Sequence, residues 1–205
     1  MLLTMVAAAC ADPGGGPEPT PAADGSAEPA GTRSAPGEEP LDLHRPGDMG
    51  FYTAFKMDDA HSAARFRDLD EGTRASTVVA VARVVDVVAI SGQQGEVGVV
   101  LRPTDVVAGA LPPAGGDRLT VVFVVAASDD EQIAMLRRRL PAQPGLWFLR
   151  VDNETLRPVS PQGLFVQGSQ GVETPLTSEG DGDMAAEGRD YRRLSALVRQ
   201  VRGVR

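Results

Sequence analysis

Apolar and polar positions follow two different regimes along the chain, with the change near residue 50. Beyond it, apolar residues come in short runs divided by turn residues, the pattern of strands rather than of long helices. Ser76 to Ile90 holds eight Val or Ile in 15 positions, and β-branching favours the extended backbone. Arg83 and Asp86 interrupt that run, as expected of a long strand that curls away from a core. Ser91-Gly92-Gln93-Gln94-Gly95 predicts a turn into a second strand, Val97 to Leu101. Pro103 predicts a bend or an edge position before the apolar pattern resumes at Val106-Val107. A loop from Leu111 to Asp117 leads to a third strand, Arg118 to Val125.

Helical spacing occurs in three places. Residues 58–73 predict a short helix or turn pair with Asp58 as N-cap. Ser128-Asp129-Asp130-Glu131 reads as a capping box with Ser128 as the cap, followed by Ile133, Leu136 and Leu140 on one face. Arg137, Arg138 and Arg139 then sit where cations suit the helix dipole. Strands are predicted at Leu146–Val151, Leu156–Val159, Leu164–Val166 and Val172–Leu176. An acidic loop carrying Glu179, Asp181, Asp183 and Glu187 precedes a terminal helix with Tyr191, Leu194, Leu197, Val198 and Val201 on one face. The fold class expected is mainly β: a small antiparallel OB-like barrel with an inserted helix and a C-terminal helix. Val79, Val81, Val99, Leu101, Val122, Val124, Trp147, Leu149 and Phe165 are its expected core.

Residues 1–50 contain eight Pro and eight Gly. Such a stretch cannot bury enough apolar surface to offset the entropy of ordering it. Its charge is −6 of the chain's −8, leaving −2 for residues 51–205. The expected organisation is a signal-peptide-like remnant at 1–9, a disordered acidic spacer at 10–50 and one β-rich domain at 51–205. His44 is expected to be solvated within that spacer.

The first residues carry the most specific local signal. Met1 to Ala9 are mainly apolar and end in Ala7-Ala8-Ala9 before Cys10, the single cysteine. This resembles the end of a bacterial lipoprotein signal peptide, although Ala7 stands where that family more often has Leu. The resemblance implies that Cys10 is lipidated and becomes the mature N-terminus. In that family a basic leader precedes the apolar run; Met1 to Ala9 carry no basic residue, which a start codon upstream of Met1 would explain. A ratio of 19 Arg to one Lys is similar to actinobacterial usage. The localisation expected is the extracytoplasmic face of the cell membrane, with the membrane as partner through lipid on Cys10.

The order of elements over residues 66–173 resembles a group of uncharacterised bacterial extracytoplasmic proteins with an OB-like barrel, distantly like the tissue inhibitors of metalloproteinases. The resemblance rests on Val106-Val107-Ala108-Gly109, Gly116-Asp117, the Gly145 to Leu149 strand and Gln162-Gly163 before Phe165. Inhibitors of that class use a disulfide-fixed N-terminal cysteine, so their activity is not carried over.

Chemistry-bearing residues are sparse. Asp58, Asp59 and His61 could offer ligands to a metal but do not form a closed set, and an exposed helix start accounts for the acids equally well. Glu179, Asp181 and Asp183 alternate as in a calcium loop until Met184-Ala185-Ala186 breaks the pattern. No phosphate-binding Gly-rich motif, HExxH, CxxC or Gly-x-Ser-x-Gly is present. No cofactor and no metal are expected. The aromatics Phe123, Trp147, Phe148 and Phe165 are needed by the core, and the net charge of −8 opposes phosphate neutralisation, so nucleic acid is not an expected partner. The expected function is a lipid-anchored extracytoplasmic module that binds a protein or glycan. Two other classes stay open: a cell-surface hydrolase or transferase with an unrecognised site, and a cytosolic OB-type ligand binder.

Overall fold

The computed structural model describes residues 40–55, 65–90, 95–113, 116–125, 128–177 and 183–204. Seven strands carry the fold: β1 (Val78–Ala89), β2 (Glu96–Gly109), β3 (Leu119–Val124), β4 (Gly145–Asp152), β5 (Thr155–Pro158), β6 (Leu164–Gln167) and β7 (Val172–Glu173). The molecule is mainly β, as the apolar pattern predicts. β1 pairs with β2 over its whole length and, through Val78–Ala82, with β4 as well. The pairings therefore run β1-β2-β3-β5-β4 and return to β1, with β6 and β7 extending from β4.

The all-antiparallel expectation fails at one pair, because β3 and β5 run parallel through Val121 and Leu156. Five strands in a ring cannot all alternate in direction. An odd cycle needs one parallel contact, and it falls where helix α3 (Asp130–Arg137) separates β3 from β4. Pro103 does not split β2. It lies at a register irregularity opposite Ala82, beyond Leu101, where the pairing to β3 ends. A missing N–H costs little at such a place. The β4–β5 hairpin turns on Asn153 (φ 48) and Glu154 (φ 66), two left-handed residues whose twist matches the flanking strands.

Alternation along β1 divides the core into two. Val78, Ala80, Ala82 and Val84 face the interior with Val99, Leu101, Val121, Phe123, Trp147 and Leu149. Val79 and Val81 face outward with Leu146, Phe148, Phe165, Leu194, Leu197 and Val201. The outer cluster is covered by α2 (Leu69–Ala75), α4 (Asp183–Arg189) and α5 (Leu194–Arg202). Most of the expected core is buried, but Val79, Val81 and Phe165 belong to this outer layer. On β3 Leu119, Val121 and Phe123 point inward; Val122 is buried as expected but belongs to neither cluster, and Val124 is 66% exposed.

Several local expectations shift. Helix α3 is capped by Asp129, whose carboxylate accepts from Gln132 N at 2.8 Å. Ser128 instead accepts from Gly95 N at 3.0 Å and ties the end of β3 to the start of β2. Asp58 lies outside the described residues; α2 starts at Leu69 and is capped by Asp68. Glu187 is in helix α4 and accepts from Leu69 N at 2.7 Å, so the acidic segment is not all loop. The terminal helix buries Leu194, Leu197, Val198 and Val201 as its spacing predicts. The last strand is only Val172–Glu173, while Leu176 is buried in the interior.

The domain does not begin at residue 51. Residues 40–50 already belong to the fold, and α1 (Met49–Tyr52) straddles the expected boundary. No helix among the described residues is long and apolar enough to cross a membrane.

Candidate functional site

Cys10 and the Ala7-Ala8-Ala9 run before it lie outside the described residues, as do Asp58, Asp59, His61, Glu179 and Asp181. No group of three or more His, Cys, Asp or Glu among the described residues could hold a metal ion. The four aromatics assigned to the core are all buried: Phe123 and Trp147 inside the ring, Phe148 and Phe165 beneath the outer helices. Of the arginine trio, Arg137 donates through Nε to Asp86 Oδ1 at 2.9 Å and to Val87 O at 2.8 Å. That contact clips α3 to the β1 curl, while Arg138 and Arg139 are exposed.

The residues that draw distant parts of the chain together lie where the N-terminal segment enters the domain. Asp42 accepts from both Ser195 N and Ser195 Oγ at 2.8 Å. His44 is half-buried, not solvated, and its Nδ1 lies 3.2 Å from Gln167 O. A carbonyl can only accept, so that contact places the proton on Nδ1. Arg45 N donates to Gln143 Oε1 at 2.8 Å, and Gln143 N donates to Asp48 Oδ2 at 2.8 Å. Asp48 precedes α1 but does not cap it, because its carboxylate is turned to Gln143.

Two buried glutamines organise this junction. Gln143 Nε2 donates to Gln167 O at 3.1 Å. Gln167 accepts from Leu194 N at 2.8 Å and donates to Gly168 O and Arg192 O, each at 3.1 Å. Every polar group of both side chains thus has a partner, the condition under which a buried polar network rigidifies a fold. Sequence reading passed over Asp42, Gln143 and Gln167. The available signal was Phe51, Tyr52 and Phe55, three of the nine aromatics within five residues. In a chain poor in large side chains, such a cluster belongs in a core.

Those three rings are buried in the interior cluster. Phe51 and Tyr52 meet edge to face with centroids 5.2 Å apart, and Phe55 packs on Phe123 at 5.0 Å. Tyr52 lies 6.2 Å from Trp147, and among the described residues neither Tyr52 Oη nor Trp147 Nε1 has a hydrogen-bond partner. Burial, and after it the Asp48 carboxylate, pushes the Tyr52 hydroxyl far above the ordinary tyrosine range. A raised folded-state value means that neutral Tyr52 favours the fold at every pH below the unfolded value of ~10, and that this is lost as pH rises beyond it. Tyr191 is raised as well, by partial burial first and then by Glu187 and Asp190. Absorbance titration should therefore show Tyr191 ionising while the protein is folded, and Tyr52 ionising only together with loss of the circular dichroism signal. Two tyrosines titrating before any unfolding would contradict the burial of Tyr52.

No protein-family model, curated protein or solved structure matches the chain. The class that fold and junction define is a mainly β domain whose N-terminal segment is locked into it by side-chain bonds.

Proposed function

We propose that this protein is a lipid-anchored extracytoplasmic module that binds or presents itself to another envelope component, a protein or a glycan. The observation that carries the reading is the single cysteine, Cys10, placed directly after Ala7-Ala8-Ala9 and before a Pro/Gly-rich acidic stretch. A diacylglyceryl group on Cys10 would supply two acyl chains, the number that holds a protein stably at a bilayer where one chain does so only marginally. The junction supports the reading mechanically. A domain held through its N-terminus needs that end fastened, and Asp42, His44, Arg45 and Asp48 fasten it to α5, β6 and the α3–β4 loop. The stretch between Cys10 and Pro40 would act as a spacer with a reach on the order of 30 Å, taking ~5–6 Å times the square root of its residue number.

The test is expression of the natural gene, with whatever precedes Met1, in a bacterial host, as wild type and as Cys10→Ser. Wild-type protein should sediment with membranes and show by intact mass a chain that begins at a lipid-modified Cys10. Cys10→Ser should lose both properties. Soluble wild-type protein with an unmodified cysteine would end the reading. Cross-linking on intact cells, followed by identification of the captured component, would then define the partner.

A further inference from the structure

A second surface stands apart from the junction. On β1 the residues facing outward are Val79 and Val81 and, next in the alternation, Arg83; the inward set is Val78, Ala80, Ala82 and Val84. Arg83 is the cross-strand partner of Arg102, which follows the inward Leu101 and so shares the outer face. Two positions back along β1, Val81 is partnered by Asp105, to which Arg202 of α5 donates. Positions two apart on a strand are separated by about 7 Å. The Arg202 guanidinium therefore lies on this face about two strand positions from the Arg83–Arg102 pair, and Arg199 stands one turn earlier on α5. Arg102, Arg199 and Arg202 are exposed and Arg83 is half-buried.

Like charges directly opposite each other destabilise an antiparallel pair. The nearby carboxylates are already engaged: Asp105 by Arg202 and Asp86 by Arg137. Among the described residues neither Arg83 nor Arg102 has an ion-pair partner. The face thus carries surplus positive charge in a protein that is acidic overall. Planar guanidinium groups in this arrangement suit an oxygen-rich anion, phosphate above all.

We propose that this face, Arg83 and Arg102 with Arg202 and Arg199 at the end of α5, docks on the phosphate headgroups of an anionic membrane surface. The choice of a lipid headgroup over another phosphate rests on the anchor reading, and the position of the N-terminal junction gives it a geometric basis. Asp42 is bound to Ser195 in the first turn of α5, whereas Arg202 is the last residue of the same nine-residue helix. Tether entry and arginine face are seven residues apart along α5, about 10 Å at 1.5 Å per residue. A chain tethered near Ser195 would hold the arginines within reach of the surface that anchors it. Contact would also orient the domain, leaving the opposite side of the ring for a partner.

The experiment uses the full chain carrying Cys10→Ser, so that no lipid contributes, and its cosedimentation with phosphatidylcholine vesicles that contain or lack phosphatidylglycerol. The chain should bind the anionic vesicles, prefer them over neutral ones, and release on addition of salt. Arg83→Gln/Arg102→Gln should weaken binding about 25-fold, roughly fivefold per arginine near an anionic surface. Arg138→Gln/Arg139→Gln, which removes the same charge from exposed positions on the α3 end, should leave binding unchanged. The Arg83/Arg102 variant should unfold at the same temperature or a higher one, since it relieves repulsion; Arg102→Gln alone is the fallback variant. Equal loss in both double variants, or no preference for anionic vesicles, would overturn the proposal. Saturable binding of inorganic phosphate without vesicle binding would also overturn it and assign the face to a soluble phosphate compound. Because no lipid is attached, this result stands apart from the Cys10 test, and either can fail alone.

Discussion

Trp147→Ala should lower the free energy of unfolding by about 3–5 kcal/mol, the range for truncating a buried aromatic. Trp147 is 1% exposed, and β4 holds it between Ala80 on β1 and Leu164 on β6. Its ring meets Tyr52 at 6.2 Å and Phe123 at 6.5 Å, so its removal opens a void beside those two rings. Against a typical total of ~5–15 kcal/mol, such a loss takes a large share of the stability. Trp147→Phe should be much milder. It keeps an aromatic ring and removes an indole N–H that has no partner among the described residues, and an orphaned donor of that kind itself costs about 1–3 kcal/mol. Denaturant unfolding followed by far-ultraviolet circular dichroism measures both variants. An unchanged midpoint for Trp147→Ala would mean that the ring is not a core element.

Gly109→Ala should cost about 2–5 kcal/mol, the sum of two contributions. Gly109 ends β2 at φ +72, and a Cβ placed there would lie 2.2 Å from Thr77 O. The left-handed conformation alone costs an alanine ~1–2 kcal/mol, and overpacking adds ~1–3 kcal/mol. The obstructing atom is a backbone carbonyl that also accepts from Ala110 N, so it cannot swing aside as a side chain could. Relief would require the end of β2 to part from Val78, its partner at the start of β1. Gly47→Ala is the matched control: no described residue lies within 4 Å of its Cβ position, and its effect should fall within ±0.5 kcal/mol. Comparable thermal midpoints for the two variants would show that the closure at Gly109 is looser than its contacts imply.

Much of this architecture is legible in local pattern. Seven runs rich in β-branched or aromatic residues, divided by Gly, Pro, Asn and Asp, mark the strands, because backbone preference and turn chemistry act within a few residues. The inward stripe of α5 is legible for the same reason: Leu194, Leu197, Val198 and Val201 recur at helical spacing within a single element. The role proposed for Cys10 likewise rests on neighbours in sequence and draws nothing from the fold.

Tertiary structure alone decides the rest. Val78 and Val79 are both fully buried on opposite faces of β1, and when both faces are covered the period-2 signal that assigns inside and outside disappears. The parallel β3–β5 contact is invisible locally, because it follows from closing a ring of five strands. Residues 40–50 look too rich in Pro and polar residues to fold, and by themselves they are. They are ordered by Gln143, Gln167 and Ser195, between 95 and 153 positions away along the chain. The Arg83–Arg102 pair depends on the register of the β1–β2 hairpin and on its irregularities. Local propensity determined which segments become strands and helices in this protein; closure, register and hydrogen bonds between remote residues decided which side chains meet, because those terms exist only once distant parts of the chain are in contact.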